Sequence, residues 1–145
     1  MKTSFFRLNE LSPEKLLDIL KLRQDVFIVE QACIYPDIDE TDRYAVHAVL
    51  EEGGQVIACL RIFRRAGEEN TAQIGRVVSA VRRKGYGTEI LKAALEYAKD
   101  IMHCREAYLE AQCYASGLYE KQGFHIVSEP FSEDGIPHVR MRRHL

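Results

Sequence analysis

The segment Val-Arg-Arg-Lys-Gly-Tyr-Gly-Thr, residues 81–88, most constrains what this chain can fold into. It follows a β-like run at 72–79 and precedes a helix predicted over 86–102, where apolar residues recur at helical spacing. A loop of small residues at a helix start aims several unpaired backbone N–H groups at one point, and the helix dipole adds positive potential there. The segment is typical of a pyrophosphate-binding loop and predicts a cofactor that carries a nucleotide.

Strand and helix signals alternate along the 145 residues and predict a mixed α/β fold around one central sheet. Ser12 and Pro13 mark the start of the first helix, because Ser caps helices well and Pro is tolerated in the first turn. Gly123 ends a short helix predicted over 115–122. The predicted strands cover residues 3–8, 44–51, 55–65, 71–79, 106–112, 124–129 and 136–142. The length suits one domain over residues 1–145.

Composition restricts the class of protein. The 20 basic and 22 acidic residues give a net charge of -2, so no basic field points to nucleic acid. No apolar run is long enough to cross a bilayer, and the first residues lack the apolar stretch of a secretion signal. Four scattered cysteines form no C-x-x-C pair and predict neither a zinc site nor a redox motif. We expect a cytoplasmic protein with reduced thiols and no metal cofactor, bound to neither nucleic acid nor membrane.

A second motif lies downstream, where Tyr119-Glu-Lys-Gln-Gly-Phe124 begins within a short predicted helix after a strand. Alone, the Arg-x-x-Gly-x-Gly of residues 82–87 is a weak signal, and it matches neither the Walker loop nor the dinucleotide fingerprint. Together, in this order and on these elements, the two motifs resemble the GCN5-related N-acetyltransferase (GNAT) superfamily. The resemblance implies the acyl-CoA N-acyltransferase fold, with a mostly antiparallel sheet of six to seven strands. That sheet would be splayed at the cofactor cleft and flanked by helices on both faces.

Other segments are similar to the ElaA-like branch of this superfamily. They are Leu-Arg-Gln-Asp-Val-Phe-Ile-Val-Glu-Gln at 22–31, Cys-Ile-Tyr at 33–35, and an acidic stretch at 133–135 that runs into Ile-Pro-His at 136–138. One departure stands in the phosphate loop, where Arg83 occupies a position at which Gly is common in the family. The branch adds to the fold prediction more than to the substrate prediction.

The resemblance implies acetyl-CoA as donor and the primary amine of a small molecule as acceptor, joined by direct attack in a ternary complex. Backbone N–H groups near 83–88 would hold the pyrophosphate, and cationic side chains would add charge for phosphates. A backbone amide of Val77 or Val78, beside the pantetheine arm, would polarise the thioester oxygen. The expected cofactor-binding residues are Val77, Val78, Arg82, Arg83, Lys84, Gly85, Tyr86, Gly87, Thr88 and Tyr119.

Two proton transfers accompany such a reaction. An alkyl ammonium with a pKa of about 10 has no free lone pair at neutral pH, so a base must deprotonate it. Family analogy makes Tyr119 the acid for the departing thiolate, and its alternative is a packed aromatic whose hydroxyl bonds to the backbone. His138, in a P-H-x-x-M segment that resembles the glyphosate-acetylating members, is the predicted base; its alternative is a histidine hydrogen-bonded within the sheet. Glu30 and Glu110 are further candidates and expected substrate-binding residues.

Several alternatives remain open. The chain could be a non-catalytic module that binds acyl-CoA, or an enzyme that acetylates proteins and peptides. Asp37, Asp39 and Asp42 resemble a metal cluster, but Asp42 stands where the EF-hand requires Gly. We interpret them as a solvated acidic loop, or as a loop that attracts a cationic acceptor. A homodimer is the expected assembly.

Overall fold

A computed structural model describes all 145 residues and places their strands in one sheet. The strands are β1 (Lys2–Phe6), β2 (Val46–Glu52), β3 (Gln55–Arg65), β4 (Glu68–Ser79), β5 (Glu106–Gln112), β6 (His125–Ile126), β7 (Phe131–Glu133) and β8 (Ile136–His144). The α-helices are α1 (Pro13–Arg23), α2 (Thr41–Tyr44), α3 (Tyr86–Asp100) and α4 (Ser116–Glu120). A wider π-helical segment, Gln24–Glu30, continues α1. No helix combines the length and apolar character needed to cross a bilayer.

The strand order is β1-β2-β3-β4-β5-β8-β6, with β7 beside β8. Only β4 and β5 run parallel, and every other pair is antiparallel. The predicted fold class is confirmed, but the sheet has eight strands rather than six to seven. The extra strand is β7, which forms a hairpin with β8. Asp134 and Gly135 both adopt positive φ at its turn, the geometry that matches strand twist.

Helices pack on both faces of the sheet because neighbouring strand residues point to opposite sides. The main core lies under α3, whose buried stripe is Ile90, Leu91, Ala94, Leu95 and Ala98, as its spacing predicts. Ile101 is not part of this stripe, because the helix ends at Asp100 and leaves Ile101 exposed. On the other face, Ile19 of α1 packs with Val49, Cys59 and Val78. Ser12 caps α1 as predicted, since its hydroxyl accepts from the Lys15 N–H at 3.1 Å.

Candidate active site

The sheet opens between its two parallel strands. β4 and β5 pair from Thr71 opposite Glu106 to Ile74 opposite Leu109, and no further. Beyond this point β5 stays paired with β8 as far as Gln112. The edge of β4 that faces β5 has no strand paired to it there. The structure therefore has a split between residues 75–79 of β4 and 110–112 of β5, where the family resemblance placed the cofactor cleft.

A β-bulge bends β4 at the start of the split. Arg61 pairs with Gly75 and Cys59 with Val78, so the single residue between them on β3 faces two residues of β4. One of these two is Arg76, whose φ is +53°. This left-handed conformation costs a residue other than Gly about 1–3 kcal/mol, so the surrounding contacts must stabilise it. The bulge begins two residues after Ile74, the last β4 residue that pairs with β5.

The loop at residues 81–88 has backbone N–H groups that no protein group occupies. No backbone N–H of residues 81–88 donates a hydrogen bond within the protein; the first that does is Glu89, to the Gly85 carbonyl at 3.0 Å. Gly85 has φ +76°, which turns the chain into α3 and which Gly adopts freely. The unpaired N–H groups at the start of α3 match the arrangement that binds phosphate. They lie in the loop that leads from the split strand β4 into α3.

Arg82 and Glu30 meet beside this loop. Arg82 Nη2 lies 2.6 Å from Glu30 Oε1, and both side chains are about half exposed or more. An exposed pair of this kind contributes at most about 1 kcal/mol, so a phosphate can replace the carboxylate as the partner of Arg82. Glu30, which was predicted to bind the acceptor, therefore lies against a cofactor-loop residue.

The two valines of β4 turn their side chains into the protein. Val78 is 5% exposed and packs beneath α1, whereas Val77 packs against the main core. Of these two residues, it is the backbone that is available to line a cofactor arm in the split.

Tyr119 lies on α4, which approaches the start of α3. A Cβ added to Gly87 would lie 3.6 Å from Leu118 Cδ2, so there is room for little more than a methyl group between the two helices. The Tyr119 ring is buried edge-on against Phe124, with centroids 6.1 Å apart. Burial, with a smaller contribution from Tyr114, raises the pKa of its phenol, and its hydroxyl has no hydrogen-bond partner in the protein. The alternative interpretation of Tyr119, a packed ring whose hydroxyl bonds to the backbone, therefore does not match the structure.

Glu110 projects from β5 at the edge of the split. Its Oε2 accepts a hydrogen bond of 2.8 Å from the Tyr108 hydroxyl. Two guanidinium groups lie near the Tyr108 ring, with Arg65 Cζ 3.9 Å and Arg142 Cζ 5.0 Å from its centroid. No cationic side chain pairs with Glu110, so one carboxylate oxygen is oriented and the other is free.

The two ring nitrogens of His138 have different surroundings. Nδ1 lies 2.7 Å from the Ile136 carbonyl, which only accepts, so Nδ1 donates to it. Nε2 lies 3.3 Å from Glu133 Oε2 without a hydrogen bond between them. Burial and Glu110 raise the pKa of Glu133, and His138 opposes them. Sequence reasoning missed Glu133, although the Asp134-Gly135 turn signal would have placed it in a hairpin with His138.

Side chains of the segment after α1 reach the β5–β8 region. Gln31 and Gln112 exchange two amide hydrogen bonds of 3.2 Å, which join the end of the π-helical segment to the end of β5. Cys33 Sγ donates to the Asp134 carbonyl at 3.4 Å, which joins the same segment to the β7–β8 hairpin. These contacts form a wall beside Glu110 that the sequence analysis did not anticipate.

Comparison with known proteins agrees with this geometry. The family model described as an acetyltransferase (GNAT) domain matches residues 8–145. The chain belongs to the GNAT family. A UPF0039 protein of Schizosaccharomyces pombe is 40% identical over 141 residues, which cover 94% of this chain and 93% of that one. The crystal structures of an acyl-CoA N-acyltransferase from Pseudomonas aeruginosa and of Escherichia coli ElaA both superpose with a TM-score of 0.89. They are 34% and 32% identical and cover 99% and 98% of each chain, which confirms the predicted ElaA-like branch.

Arg83 stands where Gly is common in the GNAT family, and its backbone adopts the left-handed conformation. Its φ is +62°, the region in which Gly is unstrained and other residues are uncommon. The GNAT preference for Gly here therefore has a backbone reason, and this chain tolerates the strain while it adds a cation to the loop.

The acidic segment of this GNAT chain is neither solvated nor free to attract a cation. Its three carboxylates pair with three guanidiniums from α1, β3 and β4, which makes the cluster electrically balanced. The pairs are Arg23 with Asp37 (2.9 Å) and Asp42 (2.8 Å), Arg61 with Asp39 (2.6 Å) and Asp42 (3.0 Å), and Arg76 with Asp37 (3.0 Å) and Asp39 (3.4 Å). Arg23, with 1% of its surface exposed, lies at the centre. Both interpretations of these aspartates drawn from the sequence are wrong, because each arginine is distant in sequence and carries no local signal.

Acid should destabilise the protein through this cluster. Burial would raise the pKa of Asp39 and Asp42, but hydrogen bonds from Arg61 and Arg23 and their positive charges outweigh it and lower both values. The native state then binds fewer protons than the unfolded chain, so this stabilisation is complete above the unfolded pKa of about 4 and is lost as the pH falls through the lowered values. Melting curves recorded from about pH 7 to about pH 2 should show a falling Tm below about pH 4. A constant Tm would contradict the assignment.

Proposed function

We propose that the chain is an acetyl-CoA-dependent N-acetyltransferase acting on the primary amine of a small molecule, with residues 1–145 as one catalytic domain. The main support for this proposal is the row of unpaired backbone N–H groups at residues 81–88, in the loop that follows β4 at the split in the sheet. Membership of the GNAT family supports an acyl-CoA donor. The P. aeruginosa protein named as an acyl-CoA N-acyltransferase supports transfer to nitrogen. The acetyl group as the transferred acyl group and the small amine as the acceptor are part of our proposal.

In this proposal the donor's diphosphate binds the N–H groups near Gly85, Tyr86, Gly87 and Thr88. Arg82, Arg83 and Lys84 neutralise its charge, because guanidinium and ammonium groups form strong charge-assisted bonds to phosphate. The pantetheine arm runs along the backbone of Val77 and Val78 in the split. A backbone N–H on this exposed strand edge would stabilise the developing oxyanion by about 3 kcal/mol, as single donors do in other enzymes.

Tyr119 would supply the proton that the departing thiolate needs. A phenol is protonated at neutral pH at its ordinary pKa of about 10, burial raises the pKa of Tyr119 further, and its hydroxyl forms no hydrogen bond within the protein. A donor that is free of internal partners can turn to the sulfur without breaking a hydrogen bond.

Glu110 is the base that the geometry supports best. One oxygen is held by Tyr108 and the other is free to accept a proton from the amine. His138, the base predicted by resemblance, has Nδ1 bonded to the Ile136 carbonyl and the Glu133 carboxylate 3.3 Å from Nε2, so an amine would compete with Glu133 for that nitrogen. Glu30 is paired with Arg82 at the cofactor loop. The amine would attack the thioester directly once Glu110 accepts its proton, and no acyl-enzyme is needed.

Titration calorimetry with acetyl-CoA tests the donor site. Gly85→Ala should weaken binding by about five- to tenfold, because a methyl group strains the left-handed φ at the head of the loop. Gly54→Ala is a matched control, since Gly54 also has positive φ (+81°) and open space but lies in the β2–β3 turn. It should lower the Tm and leave affinity unchanged. No detectable binding by the wild-type protein at millimolar donor would end the proposal.

A thiol-release assay with a panel of amines then distinguishes an enzyme from a non-catalytic module that only binds acyl-CoA. Thiol release with small amines supports the enzyme, stronger turnover of peptides redirects the acceptor assignment, and binding without any turnover leaves a non-catalytic module. Light scattering measures whether the chain forms the expected homodimer. The edge strand β1 has a free side on which a second sheet edge could pair.

A further inference from the structure

We propose that Asp37 and Arg76 are positioning residues, whose ion pair holds the bulge of β4 and so keeps the sheet split open. The role of the split as donor groove rests on the function proposed above; the structural role of the pair does not. Arg76 is the residue of β4 with the left-handed backbone.

The Arg76 side chain makes all of its polar contacts with one short segment. Its guanidinium donates to the Asp37 carbonyl through Nε (3.2 Å) and Nη2 (3.0 Å), and Nε lies 3.0 Å from Asp37 Oδ1. It also reaches Asp39 Oδ2 at 3.4 Å and lies 5.4 Å from the centroid of the Tyr35 ring. Contacts this numerous, on a residue with a strained φ, identify the side chain as the group that stabilises the bulged backbone.

Asp37 passes this restraint on to α1. Its Oδ2 accepts from Arg23 Nε at 2.9 Å, and its carbonyl accepts from Arg23 Nη2 at 2.7 Å. Arg23 is the last residue of α1, and that helix packs on the sheet through Ile19. A continuous series of contacts therefore runs from a packed helix through Asp37 to the bulge.

The cluster is not arranged for stability alone. Arg61 Nε is buried without a hydrogen-bond partner, which is unfavourable. Buried ion pairs are in general weak evidence for stabilisation, since apolar residues of similar volume often serve as well. The charged groups instead fix the orientation of the side chains that they join, because guanidinium and carboxylate groups bond in defined geometry. That orientation is imposed at Arg76, two residues beyond the last β4–β5 pair.

Arg76→Gly isolates the side-chain contact, because Gly adopts the left-handed φ without strain. The partly exposed position makes folding of the variant a safe expectation. Amide hydrogen exchange at Val77 and Val78 should become faster, and kcat for acetyl transfer should fall by about 10- to 100-fold, as small misplacements of reacting groups do elsewhere. Arg76→Lys keeps a cation against Asp37 and should recover most of both quantities.

Asp42→Asn is the matched control, since Asp42 pairs with Arg23 and Arg61 but not with Arg76. Asp42→Asn should lower the Tm. Measured well below that Tm, amide exchange at Val77 and Val78 and kcat should stay near the wild-type values. If Asp42→Asn does not fold, Arg61→Lys replaces it as the control. Equal losses of kcat in Asp42→Asn and Arg76→Gly would reduce the pair to a structural role and overturn the proposal, as would wild-type exchange in Arg76→Gly. If wild-type protein binds no acetyl-CoA but Arg76→Gly still speeds exchange, only the proposed function fails.

Discussion

Tyr119→Phe is expected to lower kcat by about 100-fold or more, with little change in acetyl-CoA affinity or Tm. The phenol hydroxyl forms no hydrogen bond in the protein, so its removal leaves no buried partner unsatisfied and the ring still packs against Phe124. What is lost is the proton for the departing thiolate. Steady-state kinetics, calorimetry with acetyl-CoA and thermal melting measure the three quantities on the same preparation.

Tyr97→Phe is the control for the loss of a tyrosine hydroxyl. Tyr97 lies on α3 and stacks on Phe5 at 4.2 Å, away from the split. Its variant should keep the wild-type kcat. If Tyr119→Phe also keeps it, a water or the solvent protonates the thiolate and Tyr119 has no acid role.

Glu110→Gln should have the second large effect, a loss of about 100- to 10,000-fold in kcat/KM at neutral pH. Glutamine keeps the shape and still accepts from the Tyr108 hydroxyl, but it cannot take up the proton of the ammonium. The acidic limb of the pH–rate profile should disappear in this variant, because that limb reports the group that must be deprotonated. Initial rates measured across the pH range check both expectations.

His138→Gln is the companion measurement. Because Nδ1 bonds the Ile136 carbonyl and Glu133 lies 3.3 Å from Nε2, we expect a smaller loss than for Glu110→Gln, caused by displacement of the β7–β8 hairpin, and an acidic limb that persists. The reverse order, with the limb lost in His138→Gln and kept in Glu110→Gln, would restore His138 as the base. Glu133→Gln distinguishes the two further, since it frees His138 from its carboxylate partner.

The parts of this protein that its sequence predicts are those decided by near neighbours along the chain. The stripe of α3, the Ser12 cap and the open loop at 81–88 each depend on residues a few positions apart, through helical periodicity and the unpaired N–H groups of a helix start. Local patterns were less reliable at the C-terminal end. The strand predicted over 124–129 is two residues long, and a third strand forms the hairpin with β8.

The side-chain contacts around the split depend on the tertiary structure. Asp37 and Arg76 are 39 residues apart, and Gln31 and Gln112 are 81 apart, so no local pattern aligns them. The aspartates of 37–42 look solvated in the sequence because their three arginine partners come from other elements. His138 looks like a free base until the hairpin brings Glu133 to its second nitrogen. Local backbone preferences determine the unpaired N–H groups of the 81–88 loop, whereas the contacts of the acidic and histidine side chains depend on partners that only the folded sheet brings within hydrogen-bonding distance.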